Sequence, residues 1–447
     1  MNWNRLINCS NLFNVATPEN CFMRKAIILF CLFIVADSFA QDIDYARHLI
    51  DTLTSPSMEG RGYVNDGDRK AANFICKEFQ KDGLLNFAND FYQRFNIAIN
   101  TFPGKAEISI GKTPLTPGEE YLVASNSPTV KGEFPVVMLD ERILKSKTRF
   151  KRFCLRDYSQ KVIVVDKKGI SDKKQSAQAD SIRKYNFLKA RGIVLITDNK
   201  LVWSISAASR QMPYPTIEIK REAWPGKSTT MTLDIDAQFE KAYTTQNIAG
   251  YIRGSIQPDS FLVFTAHYDH LGRMGSRTYF PGANDNASGT AMLLDLAKYY
   301  SQPDHQPKCS MIFIAFTGEE AGLLGSKYMA DHPVFPLASV RFLMNLDMVG
   351  TGSEGITMVN STIFPRAFDL MTKINADNEY ILTVKKRGES CNSDHCPFYE
   401  KKVPAVFIYS LGKEYTEYHN IYDKADKLPL SEYRDIFRLV RDFMNGW

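Results

Sequence analysis

Residues 261–270 read FLVFTAHYDH. The run from Phe261 to Ala266 is apolar apart from Thr265, then turns abruptly polar at His267, Asp269 and His270. It reads as a buried β-strand that ends in metal-binding residue types. Two later stretches repeat the pattern. Residues 311–320 (MIFIAFTGEE) run into Glu319 and Glu320, and residues 342–350 (FLMNLDMVG) run into Asp347. In an open α/β sheet the carboxyl ends of parallel strands share one rim, and ligands bind there. Residues far apart in the chain can therefore meet at one place. With Asp285 and His419 added, that rim offers two imidazoles and several carboxylates, enough for two divalent metals.

Outward from these strands the chain alternates strand and helix. Strands are expected at 247–252, 261–266, 311–316, 342–346 and 405–409, and helices at 289–300, 321–330, 364–378 and 431–444. Alternation of this kind argues an α/β fold, with a mostly parallel central sheet and helices on both faces. Before it, residues 42–53 and 68–81 carry helical apolar spacing, with Ile43, Ala46, Leu49, Ile50 and Leu53 on one face and Ala71, Ala72, Phe74, Ile75 and Phe79 on the other helix's face. Between 96 and 240 short β-type runs recur (106–110, 134–139, 161–165, 192–196, 216–219), and the stretch 167–183 is polar and exposed. None of the candidate ligands lies there. The expected division is therefore a leader over 1–40, N-terminal helices over 41–95 packing on the catalytic domain, an inserted β-rich module over 96–240 that affects substrate access, and a catalytic domain over 241–447.

The chain is long enough for a large core, at 447 residues with 44% hydrophobic and 23% charged residues. A net charge of +5, with no long basic run, gives no argument for a nucleic-acid partner. Arg24-Lys25, the apolar run 26–36 (AIILFCLFIVA) and the small residues around Ser38 and Ala40 read as an export signal, with cleavage expected before Gln41 and translation expected from Met23; a retained membrane anchor is the other reading. The run is short for a bilayer, so no stable membrane insertion is expected after cleavage, and the protein is placed in the periplasm or outside the cell. Cleavage would leave Cys76, Cys154, Cys309, Cys391 and Cys396, an odd number, so at least one thiol has no partner within the chain. Cys391 and Cys396 flank Ser393-Asp394-His395. In an oxidising compartment they form a small disulfide, or they remain two thiols.

The candidate site residues each carry two readings. His267 and Asp269 are two apart and project to the same side of an extended chain, so one can bind metal while the other fixes its tautomer. On the same geometry His270 points elsewhere and reads as an ordinary loop histidine. Asp285, in the small-residue loop GANDNASG (282–289), is a metal ligand or a helix N-cap. Glu319 and Glu320 diverge as neighbours do, which suits one to metal and the other to protons. Asp347 is a ligand or a turn cap. His419, in the loop before the last helix, is a ligand or incidental.

In order, the strings AHYDHLG (266–272), GANDNASGTA (282–291), GEEAGLLGS (318–326), NLDMVG (345–350), SDHCPF (393–398) and YHNIYDKADK (418–427) resemble the co-catalytic zinc exopeptidases of clan MH, peptidase family 28. That family includes bacterial leucyl-type aminopeptidases and the glutamate carboxypeptidases. The resemblance is close over 244–447, reaches the N-terminal helices weakly through SMEGRG (57–62), and likens the insert to a protease-associated domain. It implies two zinc ions: His267 and Asp347 on one, Glu320 and His419 on the other, with Asp285 bridging. It further implies that Asp269 supports His267 and that Glu319 is the general base for a metal-bridging water. Asp394 and His395 would lie near substrate or behind the ligands. Two departures from the family's commonest pattern are the Asn-Ile-Tyr-Asp after His419 and the Cys391/Cys396 pair. The resemblance implies an exported aminopeptidase acting on peptides. A glutaminyl cyclase of the same fold with one zinc, a carboxypeptidase, and a non-catalytic module with structural zinc are the rivals. The sequence leaves the oligomeric state open.

Overall fold

The computed structural model describes residues 43–226 and 229–447. The expected export signal and cleavage site lie outside the described residues, and no helix among them is long and apolar enough to cross a membrane.

The larger of two eight-stranded sheets runs in the order Tyr92–Thr101, Gln238–Ile252, Cys309–Phe316, Gln257–His267, Val340–Leu346, Ala405–Leu411, Gly355–Val359, Val384–Lys386. The four strands from Cys309–Phe316 to Ala405–Leu411 pair in parallel, while Gln238–Ile252 and Gly355–Val359 are antiparallel to their inner neighbours. The central strands have apolar side chains on both faces because both faces are covered. Leu262, Phe264, Ala266, Met311, Phe313 and Ala315 pack into one core with the helices Ile43–Thr54, Gly67–Lys81, Gly289–Ser301 and Tyr433–Gly446. Val263, Ile312, Ile314 and Phe316 face the opposite way, against Met329 and Phe398 of the helices Leu324–Asp331 and His395–Glu400. Each fully buried large side chain of this kind contributes roughly 1.5–3 kcal/mol.

The second sheet is built from residues 106–235, in the order Ala106–Ile110 beside Thr230–Ile235, then Val130–Leu139, Val162–Asp166, Gly192–Thr197, Thr216–Lys220 and Tyr121–Val123, with the two-residue strand Thr113–Pro114 outermost. Tyr92–Thr101 and Gln238–Ile252 pair with each other in the larger sheet, and the sequence-read limits at 96 and 240 fall inside this pair. Period-two patterning marks a strand without saying which sheet it joins. Most of the stretch 167–183, expected as an exposed polar segment, belongs to the helix Lys173–Tyr185, whose N-cap Asp172 accepts from the Gln175 N–H at 2.8 Å. It buries only Ala179 and Ile182, too few for a legible stripe. The helix expected over 321–330 begins at Leu324, because Gly318, Gly322 and Leu323 all have positive φ and no right-handed helix can start before them. Glu319 and Glu320 are thereby left on a turn at the sheet's rim.

Candidate metal centre

The strand register builds the site. Thr265 pairs with Asn345 across parallel strands, so two residues further on His267 and Asp347 stand level at the carboxyl ends. His267 Nε2 lies 3.3 Å from Asp347 Oδ1 and 3.3 Å from Asp285 Oδ1. The other oxygen of Asp285, Oδ2, is 2.9 Å from His419 Nε2, which is also 3.1 Å from Glu320 Oε2. Asp285 therefore sits between two imidazoles, each backed by a further carboxylate. The groups His267/Asp285/Asp347 and His270/Asp285/Glu320 each have ligand atoms within 4.8 Å of one another, and all are buried.

Asp285 sits on a loop held from two sides. The Asn284 and Asp285 N–H groups donate to the two oxygens of Asp423 at 2.8 and 3.1 Å, and Tyr415 Oη donates to Asp423 Oδ1 at 2.8 Å. From the other side Arg61, fully buried, places all five N–H groups on backbone carbonyls. Nε donates to Tyr268, Nη1 to Leu53 and Pro281, Nη2 to Gly282 and Asp285, at 2.6–3.4 Å. Asn286 completes the loop, donating to the Leu346 carbonyl and accepting from the Gly289 and Met348 N–H groups. Asp347 is set by a relay across the sheet. Thr265 Oγ1 donates to Asn345 Oδ1, Asn345 Nδ2 to Ser393 Oγ, and Ser393 Oγ to Asp347 Oδ2 at 2.8 Å, leaving Oδ1 toward His267.

His270 corrects the sequence reading. It is buried, and its Nδ1 lies 2.8 Å from Glu320 Oε1, so it joins the site. The period-two argument failed because the strand ends at His267, and alternation says nothing about the turn beyond. The missed signal was its position directly after His267-x-Asp269. Asp269 is beside His267 as expected, but the nearer acceptor for Nδ1 is the Asp269 carbonyl at 3.1 Å, with the carboxylate at 3.7 Å. The carboxylate instead accepts from Tyr63 Oη and from the Glu319 N–H, both at 3.2 Å. His419 Nδ1 lies 2.8 Å from the Trp203 carbonyl, an acceptor only, so Nδ1 carries the proton and Nε2 is free to ligate.

Cys391 and Cys396 form a disulfide, and Cys76, Cys154 and Cys309 are free thiols. Within the clamped loop His395 is buried and donates from Nε2 to the Ser390 carbonyl at 2.8 Å. Burial lowers it to about 4, so it stays neutral and holds the loop. Asp394 is buried with neither carboxylate oxygen hydrogen-bonded, and burial pushes it up to about 7.

The electrostatics call for a cation. Asp269, Asp285, Glu320, Asp347, Asp394 and Asp423 are buried together. Burial raises Glu319 well above the usual carboxylate range, with Asp394, Glu320 and Asp347 adding to the rise against the pull of His267. Burial opposes charge on His267 and His419 too, yet Asp347 beside the first and Glu320 beside the second raise both. Imidazoles so strongly drawn to a positive charge, among orphaned carboxylate oxygens, fit divalent ions taking the place of their protons. The mixed nitrogen and oxygen donor set suits zinc.

The profile of peptidase family M28 matches residues 247–444. Aminopeptidase YwaD of Bacillus subtilis (strain 168) is 30% identical over 231 residues, covering 48% of this chain and 47% of that protein. A probable zinc metalloprotease of Pyrenophora teres f. teres (strain 0-1) is 35% identical over 137 residues, 28% of each. These matches span about half or less of the relatives' length. Among solved structures, BSAP, a zinc aminopeptidase from Bacillus subtilis, superposes with a TM-score of 0.67 over 91% of this chain and 95% of that one, at 20% identity, which speaks to the fold. An aminopeptidase from Aneurinibacillus sp. strain AM-1 gives 0.60 over 91% and 93%, at 21% identity. The segment 247–444, which the profile of peptidase family M28 matches, carries every residue of the cluster except Arg61, Tyr63 and Trp203.

Proposed function

We propose that the protein is a zinc aminopeptidase with two metal positions, acting on peptides outside the cytoplasm. The observation that carries the reading is the placing of Asp285, whose two oxygens face different imidazoles, each with its own second carboxylate. His267 and Asp347 would hold one zinc, Glu320 and His419 the other, and Asp285 both. Zinc held by these residues would supply Lewis acidity, lowering the pKa of a bound water and polarising a substrate carbonyl. Glu319 belongs to neither ligand group, and its raised pKa suits a base that takes a proton from water and returns it to the leaving amine. Asp269 fixes the Glu319 backbone and lies behind His267. His270 holds Oε1 of Glu320 so that Oε2 stays toward His419.

An amino terminus is favoured over a carboxyl terminus by the charge balance. The acid-rich rim attracts an ammonium group, and Arg61, the cation buried beside it, has all five donors engaged by carbonyls. Export is supported by the leader-like residues 24–40 and by the Cys391–Cys396 disulfide. The sheet over 106–235 is read as the inserted module, beside a catalytic domain made of the N-terminal helices and the larger sheet. Glu319→Gln tests the division of labour: turnover of an aminoacyl amide should fall at least about 100-fold with zinc content unchanged, as expected for a lost general base. Loss of zinc in that variant would sink the assignment.

A further inference from the structure

The two-zinc reading above leaves the second sheet as a bystander, yet one of its loops reaches the metal centre. After the strand Gly192–Thr197, residues 201–205 alternate, with Leu201, Trp203 and Ile205 buried and Val202 and Ser204 exposed. The segment makes a reciprocal pair of hydrogen bonds with His419. The Trp203 N–H donates to the His419 carbonyl at 2.9 Å, and His419 Nδ1 donates to the Trp203 carbonyl at 2.8 Å. A second latch lies alongside, where Lys200 Nζ reaches Glu417 Oε2 at 2.5 Å and the Thr416 carbonyl at 3.3 Å.

The Trp203 side chain fixes the position of this backbone. Its indole N–H donates to the Val123 carbonyl of the second sheet at 2.7 Å, and its ring stacks on Phe280, 4.7 Å away, in the segment leading to the Asp285 loop. Trp203 thus lies in a core that holds Tyr121 and Val123 from the second sheet together with Leu271, Phe280 and Ala321 from around the metal centre. His419 needs such support. Its φ of 51° is left-handed, a conformation disfavoured for a residue with a Cβ. The Trp203 bonds hold both the backbone and the ring of His419 in that state. The other imidazole has no such tie: His267 Nδ1 faces the Asp269 carbonyl, two residues along its own chain.

We infer that Trp203 is a positioning residue for the Glu320/His419 metal position, so that the inserted module governs occupancy of one of the two sites. The inference rests on the two-zinc reading. A partner that holds a ligand imidazole by its second nitrogen is worth 10–100-fold in metal affinity. The selective effect follows from the geometry, since nothing from residues 199–206 is bonded to His267 or Asp347.

The test is zinc titration of the full chain by equilibrium dialysis against buffered free zinc, for wild type, Trp203→Ala and Trp203→Phe. Bound zinc per chain is counted and the fold is checked by circular dichroism. Phe keeps the ring on Phe280 but lacks the indole N–H. Wild type should take up two zinc ions. In Trp203→Ala one of the two steps should shift by about 10–100-fold, in Trp203→Phe by less, and the other step should stay at the wild-type value. If Trp203→Ala does not fold, the shift in Trp203→Phe decides. Equal weakening of both steps, or two wild-type affinities in a folded variant, would overturn the inference and leave the two-zinc reading standing. A wild-type chain saturating at one zinc would overturn that reading itself, and this inference with it.

Discussion

Arg61→Met removes the clamp behind the Asp285 loop while keeping an unbranched side chain of similar reach. Arg61 is fully buried and gives five N–H groups to the carbonyls of Leu53, Tyr268, Pro281, Gly282 and Asp285. Burial lowers the guanidinium to about 10, against the pull of Asp423, Asp285, Asp269 and Glu320, so it remains charged near neutral pH. Its hydrogen bonds do not add up singly, because the folded state also carries the cost of dehydrating the cation. Breaking a buried charged interaction costs about 3–5 kcal/mol, and that sets the scale. An unfolding entropy of about 2.1 cal/mol/K per residue gives a chain of about 400 residues near 0.85 kcal/mol/K, so a loss of about 4 kcal/mol lowers Tm by about 5 °C. Scanning calorimetry in chelator measures this without a contribution from bound metal. Arg61→Lys, with three donors in place of five, should recover only part of the loss. A Tm for Arg61→Met within about 1 °C of wild type, on the same entropy scale, would refute the view that these carbonyls need the guanidinium.

Other expectations follow from single contacts. His270→Phe removes the donor to Glu320 Oε1 and should weaken zinc binding by about 10–100-fold, whereas His270→Asn keeps an N–H near the Nδ1 position and should recover most of it; equal affinities in the two variants would deny His270 this role. Asp68 is buried, accepts from Tyr243 and Thr245 at 2.7 Å each, and is raised by burial from 3.8 to about 6. Its folded form holds the proton more tightly than the unfolded form, so its contribution is present below about 3.8 and is lost as pH rises through about 6. Two pKa units correspond to about 3 kcal/mol. The stability of wild type relative to Asp68→Asn should therefore fall by that order between acidic and neutral pH, and urea denaturation showing a constant difference would exclude the effect. Phe313, fully buried and stacked on Phe264 at 6.0 Å, anchors the central sheet; Phe313→Ala should cost about 3–5 kcal/mol in the same assay, and a loss below about 1 kcal/mol would mean that the site collapses around the gap.

What was legible in the sequence follows from which physical signals a side chain leaves. The strands that lead to His267, Glu319 and Asp347 were readable because burial on both faces demands unbroken apolar runs, and the rim then placed the polar residues that follow them together. His270 was misread because an alternation rule was carried one turn past the end of its strand. Trp203 left no signal at all, since it reaches His419 through its backbone, and any residue type supplies a carbonyl. Arg61 lay within a noted string, SMEGRG, but only the fold shows five carbonyls converging on it. The edges of the second sheet were blurred because Tyr92–Thr101 and Gln238–Ile252 have the same short-period texture as the strands they enclose.

Hydrolysis of a panel of aminoacyl reporter amides, with free and with acetylated N-termini, tests the proposed activity most directly when zinc is counted on the same sample. A two-metal aminopeptidase should turn over only the free-amine substrates and carry about two zinc per chain, the number that two co-catalytic positions require. Cleavage of acetylated substrates at equal rates, or no turnover in a chain holding a single tight zinc, would contradict it.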